Sequence, residues 1–217
     1  NSLFTPQEVL DWAWRLPFLL GGVFGLCAVY LRRMLQETPV FAEMQQRHAL
    51  AAELPLKTVL RAHRGAIVLS MLLTWVLSAA IVVVILMTPT LLQTLYGFDA
   101  ATALKANSLA IVFLSLGCVA AGAIVDRVGA GRVLLLGGLL LGVTSWTFYS
   151  SLKLHPEWLF PLYALTGLFV GTIGAVPFVM VNAFPPVVRF SGLSFSYNVA
   201  YAIFGGLTPL VVSLLIK

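Results

Sequence analysis

The sequence predicts an all-α integral membrane protein with six transmembrane helices, and three observations lead to that fold class. Of the 217 residues, 60% are hydrophobic and 10% are charged, whereas soluble domains average about 25% charged residues. The mean hydropathy of +0.98 agrees with this class. Six apolar segments each reach the roughly 20 residues that a helix needs to cross the hydrocarbon core. Because backbone groups in lipid must pair within the protein, we predict that these segments are helices.

We name the predicted spans A to F in chain order. They cover residues 16–35, 65–87, 106–125, 133–152, 158–184 and 190–216. Spans B to F contain no Asp, Glu, Lys or Arg. Span A ends near Arg32 and Arg33, whose long side chains can reach the membrane interface.

The remaining segments are assigned from their position between spans. Residues 1–15 are predicted to be a periplasmic loop, and residues 36–64 a cytoplasmic linker. The chain begins with Asn1 and shows no basic stretch followed by a short apolar core and a cleavage site. We therefore expect no signal peptide, and we expect this chain to be part of a longer protein.

The orientation follows from lysine and arginine, which are enriched in cytoplasmic connections. Nine lie on one side: Arg32, Arg33, Arg47, Lys57, Arg61, Arg64, Arg127, Arg132 and Arg189. Four lie on the other: Arg15, Lys105, Lys153 and Lys217. The first side is therefore predicted to be cytoplasmic, with both ends of this chain outside.

The connection between spans A and B is the only long one. Thr38-Pro39 offers an N-cap followed by proline at the first helical position. After Pro55, the residues Leu56, Val59 and Leu60 have helical spacing. We interpret this segment as one or two amphipathic helices on the cytoplasmic membrane surface. A solvated linker between two helix bundles is the alternative.

Glycines recur at helical spacing in two spans. Gly167, Gly171 and Gly174 share one face of span E, and Gly138 and Gly142 form a GxxxG pair in span D. Small faces let membrane helices approach closely, so helix contacts are predicted at both places. A helix that slides against its neighbour is the alternative explanation.

Polar residues form a stripe along span F. Six residues repeat at intervals of 3, 4, 3, 4 and 3, which places them on one helix face: Ser191, Ser194, Asn198, Tyr201, Gly205 and Thr208. Pro209 follows and can bend the helix. We interpret the stripe as the lining of a solute pathway. Hydrogen bonding between helices is the alternative.

Span B carries a shorter pattern of the same kind. Ser70, Thr74 and Ser78 repeat at every fourth position, with Thr88-Pro89 beyond them. These three hydroxyls are further pathway candidates. Asn107, near the start of span C, is predicted to be a capping or interface residue.

The sequence argues against an enzyme, a metal site and nucleic-acid binding. Two cysteines and three histidines show no metal-ligand spacing, and neither GxSxG nor HExxH occurs. The basic residues flank apolar spans rather than forming a basic, aromatic-rich domain. No ionisable Asp, Glu, Lys or Arg lies within the middle of a span, so this chain has no evident proton carrier. We expect no cofactor.

The turn between spans C and D reads Gly122-Ala-Ile-Val-Asp126-Arg127-Val-Gly129. It resembles the GxxxDRxG loop motif of the major facilitator superfamily, in the copy that the second half of such transporters carries. In the family a basic pair follows the last glycine, whereas Ala130-Gly131 stands here before Arg132. The resemblance implies a conformational role for Gly122, Asp126, Arg127 and Gly129.

Two further stretches resemble the metabolite:proton symporters of that superfamily, the relatives of proline/betaine, citrate, 2-oxoglutarate and shikimate carriers. Trp14-Arg-Leu-Pro-Phe-Leu19 with Glu37-Thr-Pro-Val-Phe41 resembles their sixth span and its exit. Phe184-Pro-Pro-Val-Val-Arg189-Phe-Ser-Gly192 resembles the approach to their eleventh span, and we group Arg189 with the conformational motif. Two positions depart from the family, which usually has an acidic residue at Asn182 and often a tyrosine at Leu91.

The resemblance implies spans six to eleven of a twelve-span protein built from two six-helix bundles. Residues 65–217 would be most of the C-terminal bundle. The implied function is secondary active transport at the cell inner membrane, in which a small carboxylated or zwitterionic metabolite enters with protons. The implied partners are that solute, the lipid bilayer and the N-terminal helices of the same transporter. A proton-driven exporter of the same fold is one alternative, and a non-transporting receptor or membrane enzyme is another.

Overall fold

A computed structural model describes residues 4–34 and 55–215 of the chain. Within those residues every regular element is helical, and six helices are long and apolar enough to cross a membrane. The predicted all-α fold class with six spans is therefore confirmed. The observed bounds are Ala13–Arg32 for span A, Arg64–Thr94 for B, Ala100–Val128 for C, Ala130–Ser151 for D, Pro156–Ala183 for E and Arg189–Leu215 for F.

Span C is longer than hydropathy predicted because local residues set its ends. Asp99 caps the start, where its Oδ2 accepts a hydrogen bond from the backbone N–H of Thr102 at 2.9 Å. Gly129 stops the helix with φ +87°, a conformation that glycine adopts without steric cost. Polar and charged residues at both ends therefore continue the helix beyond its apolar core.

The chain divides into two compact units, Asn1–Leu50 and Ala51–Lys217. In the described part of the first unit, a short helix, Pro6–Asp11, and a 3-10 turn precede the main helix of span A. The predicted loop at residues 1–15 thus contains a helix. A capping box explains it, because Thr5 N donates to Glu8 Oε2 at 2.8 Å and Glu8 N donates to Thr5 Oγ1 at 3.3 Å.

The described part of the second unit begins with a helix over Pro55–Ala62, which we call the linker helix. Val59 is fully buried and packs with Ile67 of span B and with Phe184 and Val188 at the junction of spans E and F. This helix occupies the place where the sequence pattern after Pro55 predicted one. The other expectations for the linker, including the N-cap at Thr38, fall outside the described residues, as do Leu35, Ile216 and Lys217.

Glycines hold spans C and E close together. A Cβ built on Gly167 would collide with the backbone carbonyl of Ala110, and one on Gly171 would lie 2.5 Å from the carbonyl oxygen of Leu114. Gly174 also faces span C, at 3.3 Å from a backbone atom. The contact face predicted for the three glycines of span E is therefore confirmed.

The GxxxG pair of span D makes no such contact, so that prediction is wrong. Within the described residues, nothing lies within 4 Å of a Cβ built on Gly138 or Gly142. Both glycines line an open groove of about 460 Å³ beside span B. The close approach is made instead by Gly137, which packs against Thr172 of span E. Successive residues of a helix point in directions about 100° apart. The face of span D that contacts span E therefore contains Gly137 and not its neighbour Gly138.

Candidate functional site

Spans B, E and F each lose regular α-helical geometry shortly before a proline. The interruptions are a π-helix over Ile81–Met87 before Pro89, a 3-10 helix over Gly171–Ala175 before Pro177, and a π-helix over Tyr201–Gly205 before Pro209. Proline lacks an N–H donor and its ring crowds the preceding turn, so the backbone before it rearranges. π-helical insertions are frequent at functional sites. These three segments interrupt the regular α-helix within their spans.

Side chains bind the carbonyl groups of the interrupted segment in span B. Thr88 is fully buried, and its Oγ1 donates to the carbonyl oxygen of Val83 at 2.9 Å. Tyr163 of span E is also fully buried, and its hydroxyl donates to the carbonyl oxygen of Val84 at 2.7 Å. Because an unpaired buried carbonyl is costly, these two side chains stabilise the π-helix.

A network of hydroxyl groups continues from this segment to span D. Since Thr88 gives its only proton to Val83, the hydroxyl of Tyr149 donates to Thr88 Oγ1 at 2.6 Å. Tyr96, in the connection between spans B and C, donates to the carbonyl oxygen of Tyr149 at 2.7 Å. Burial raises the pKa of Tyr96, which keeps this donor protonated. The network connects the π-helix of span B to the neighbouring helices.

Asn107 joins the same network through Tyr163. The two side chains are in hydrogen-bond contact, and the Tyr163 hydroxyl also contacts the carbonyl of Val84. A phenol has one proton and cannot donate to both acceptors. Turning the Asn107 amide so that its Nδ2 donates to Tyr163 satisfies both contacts. Asn107 is therefore an interface residue, one of the two roles expected from sequence, while Asp99 caps the helix.

Thr88-Pro89 stands out in the sequence, whereas the roles of Tyr149 and Tyr163 were not predicted. A tyrosine inside an apolar span is the pattern that points to them, because a buried phenol needs a hydrogen-bond partner. The stacking of Phe148 on Tyr163, with ring centroids 4.9 Å apart, fixes the orientation of that phenol.

The pathway candidates of span B are buried between helices. Ser70, Thr74 and Ser78 have no exposed surface. Thr74 Oγ1 donates to the carbonyl oxygen of Ser70 at 2.8 Å and lies 3.7 Å from Met180 Sδ of span E. Ser78 donates to a carbonyl of its own helix, and Ser70 Oγ has no partner within the described residues. This placement favours the helix-packing alternative for these three residues.

The stripe of span F lies on the opposite side from its packed face. The packed face is Gly192, Ser196 and Ala200, all buried. The stripe residues are exposed at Asn198 and partly exposed at Ser191, Ser194, Tyr201, Gly205 and Thr208. Asn198 Nδ2 donates to the carbonyl oxygen of Ser194 at 2.8 Å, and its Oδ1 accepts from none of the described residues. Among the described residues, the stripe is not covered by another helix along its full length. Its role in a solute pathway stays a prediction.

Spans B and F meet along their length. Trp75 stacks on Phe204, which belongs to the π-helix of span F, with centroids 4.9 Å apart and planes inclined by 19°. Towards the predicted periplasmic ends, the two spans enclose a groove of about 350 Å³. It is lined by Leu86, Met87, Thr90, Leu91, Thr94 and Ser213. The hydroxyls of this groove were not predicted, although the spacing of Thr90 and Thr94 after Pro89 indicates them.

The GxxxDRxG turn connects spans C and D through Gly129. Asp126 and Arg127 are exposed, and neither has a hydrogen bond or ion pair within the described residues. Gly122 is exposed one turn before them, with open space at its Cβ position. Arg189 serves a different connection, because its Nε donates to the carbonyl oxygen of Phe184 at 3.2 Å, where span E passes into span F.

The candidate residues are neutral hydrogen-bonding groups. The amide of Asn198, the phenol of Tyr201 and the hydroxyls beside them can bind a carboxylate or a zwitterion by hydrogen bonds. Among the described residues no group of three or more His, Cys, Asp or Glu could hold a metal ion. Such groups can recognise a polar solute through hydrogen bonds.

The sequence is similar to those of known membrane transporters. A profile of the Major Facilitator Superfamily matches residues 8–209. The citrate-proton symporter of Klebsiella pneumoniae is 30% identical over 220 residues, which cover 100% of this chain and 49% of that protein. The putative proline/betaine transporter of Staphylococcus aureus strain COL is 26% identical over 216 residues, covering 98% of this chain and 46% of that protein.

The ectoine/proline transporter ProP of Corynebacterium glutamicum is 29% identical over 226 residues, covering 95% of this chain and 43% of that protein. This chain thus spans about half the length of the curated relatives that it matches. No solved structure matches it.

Proposed function

Because the chain belongs to the Major Facilitator Superfamily and is a multi-pass protein of the bacterial inner membrane, we propose that it forms about half of a proton-coupled symporter. The transported solute is a small carboxylated or zwitterionic metabolite. The observation that carries this proposal is the polar stripe of span F, a row of neutral polar residues on a membrane helix that is exposed at Asn198 and partly exposed at its other positions. The names of the relatives, which are symporters or transporters of citrate, proline, betaine and ectoine, support the solute class.

Solute binding is assigned to the stripe rather than to span B. Asn198 and Tyr201 supply an amide and a phenol whose contacts leave room for further hydrogen bonds. Ser194 and Thr208 lie one or two turns away on the same face. Lipid cannot hydrogen-bond to such groups, so an exposed stripe is costly unless it faces water, solute or another helix. The N-terminal helices of the same transporter are the proposed partner across this face.

The coupling ion is proposed to be H⁺, carried by groups outside this chain. Embedded acids are the usual proton carriers in transporters, and the described spans hold none in their middle. The contribution of this chain is therefore solute recognition and movement. The interrupted segments of spans B, E and F supply the bending that alternating access requires.

Transport by the complete protein tests this function. Proteoliposomes with an imposed pH gradient are supplied with labelled citrate, proline and glycine betaine, and a proton ionophore serves as the control. We expect saturable uptake of at least one solute, abolished by the ionophore. Gradient-driven movement only in the opposite direction would make the protein an exporter. Solute binding without movement would favour a receptor.

Two asparagines that share the same exposure and the same kind of hydrogen bond test the role of the stripe. Asn198 and Asn182 are both exposed, and each Nδ2 donates at 2.8 Å to the carbonyl oxygen four residues earlier. Asn182, at the end of span E, is outside the stripe. Hydrogen bonds to charged groups contribute about 1.5–3 kcal/mol, so Asn198→Ala should raise KM about tenfold or more. Asn182→Ala should leave KM unchanged, and equal effects would contradict the assignment.

A further inference from the structure

A basic groove lies between the linker helix and the start of span F. Its lining residues are Pro55, Leu56, Lys57, Leu60, Arg61 and Ser191, and its volume is about 480 Å³. It includes none of the interrupted segments, and it shares only Ser191, the first residue of the span F stripe, with that stripe. The combination of two cations, a hydroxyl and three apolar side chains calls for a ligand with both polar and apolar parts.

The groove has a fixed wall. Val59 anchors the linker helix because it is fully buried against Ile67, Phe184 and Val188. The helix leads through His63 directly into span B, and Arg64 Nε donates to the carbonyl oxygen of Leu60 at 3.2 Å. The basic groove is thus formed by a docked helix within the second unit.

Charge and apolar surface alternate along the outward side of this helix. Lys57 and Arg61 are one helical turn apart, and Leu56 and Leu60 form a parallel pair beside them. Leu56 and Leu60 remain 41% and 42% exposed. Arg61 is exposed and has no hydrogen bond or ion pair to any described residue.

The position of the groove indicates which class of ligand it binds. It lies where spans B and F begin, on the side that the lysine and arginine count assigns to the cytoplasm. The ends of membrane-spanning helices lie near the level at which phospholipid headgroups meet the acyl chains. Basic pockets between helices on that side bind anionic headgroups, and arginine pairs with phosphate oxygens through two parallel hydrogen bonds. The exposed leucines would face the glycerol backbone and the upper acyl chain.

We propose that the basic groove binds an anionic phospholipid of the cytoplasmic leaflet, with Arg61 and Lys57 on the phosphate, Ser191 as a hydrogen-bond donor, and Leu56 and Leu60 along the chain. Phosphatidylglycerol is the lipid that we use to define this class. A soluble phosphate ester has the same charge but no apolar part, so the two exposed leucines favour the lipid.

The test measures lipid binding to the complete purified protein by native mass spectrometry in detergent. The probes are phosphatidylglycerol, zwitterionic phosphatidylethanolamine and soluble glycerol 3-phosphate. We expect specific binding of phosphatidylglycerol alone. Near an anionic lipid each basic residue contributes about 1 kcal/mol, so Arg61→Gln should weaken binding about fivefold and the double variant with Lys57→Gln about 25-fold.

Arg132→Gln is the matched control. It removes the same charge on the same predicted face, from an exposed arginine outside the groove. Its effect should stay below twofold, and Arg61→Lys should retain most of the binding because the charge remains. Circular dichroism confirms that each variant is folded. Equal losses in Arg61→Gln and Arg132→Gln, or binding of glycerol 3-phosphate as tight as that of the lipid, would overturn the proposal.

Discussion

The contact between spans C and E predicts opposite effects for two glycine-to-alanine substitutions. A Cβ on Gly171 would lie 2.5 Å from the carbonyl oxygen of Leu114 and 2.6 Å from the backbone nitrogen of Cys118, where ordinary contacts begin at 3.4 Å. These neighbours are backbone atoms of span C and cannot rotate away. Gly171→Ala therefore has to push two helices apart.

The magnitude follows from the packing. Adding a methyl group to a full interior typically costs 1–3 kcal/mol, so we expect Gly171→Ala to destabilise the protein by about that amount. Gly142 is the control, because it lies inside the helix of span D with open space around its Cβ position. Alanine is favoured over glycine in a helix by roughly 0.5–1 kcal/mol, so Gly142→Ala should stabilise the protein by about that amount.

The assay is unfolding of the purified protein in detergent, followed by tryptophan fluorescence and helical circular dichroism. The two variants should differ by about 1.5–4 kcal/mol, with opposite signs relative to the wild type. Equal stability of the two variants would refute the inference that spans C and E meet through backbone contact. A large loss in Gly142→Ala would show that another helix covers the groove beside span D.

Three further predictions concern the candidate site. Tyr163→Phe leaves the carbonyl of Val84 and the amide of Asn107 without a partner, so it should lower the free energy of unfolding by about 1–3 kcal/mol in the same assay. Tyr197→Phe is the control, and it should lower that free energy much less because the ring of Tyr197 is exposed. Cysteines at positions 194, 198 and 201 should react with a water-soluble thiol reagent in the complete protein. Cysteines at the buried positions 196 and 200 should not react. Equal labelling of the two sets would rule out a water-filled pathway along the stripe. Asp126→Asn should slow transport more than it weakens solute binding, because the exposed carboxylate can cap a helix of the other bundle; an unchanged turnover would contradict that role.

Much of the candidate site could not be predicted from the sequence, because the spacing of polar residues along a helix does not indicate which neighbouring helix they face. Ser70, Thr74 and Ser78 show the same helical spacing as the span F stripe. The structure buries them between helices, while Asn198 remains exposed. Spacing places side chains on a common face. The direction of that face depends on the helices packed around it, which lie far away in sequence.

The hydroxyl network shows the same limit. Thr88 and Asn107 were noticed one at a time, near a proline and a helix start. Their partners Tyr149 and Tyr163 lie 61 and 56 residues later in the chain. The proline indicates that a carbonyl is left without its usual donor. Which side chain supplies the new donor is decided only when spans B, D and E come together.

By itself, the sequence determined the six spans, the all-α class and the superfamily, because these depend on local properties. The membrane demands a fixed length of apolar helix, and a turn such as GxxxDRxG is contained in a few consecutive residues. The tertiary structure decided which glycines contact a neighbouring helix. Gly167 and Gly171 meet the backbone of span C, while Gly138 and Gly142 face an open groove. It also decided where spans B, E and F depart from regular helix. The physical reason is that close contact and hydrogen-bond exchange depend on partners brought together by folding, and a local pattern shows only one side of each pair.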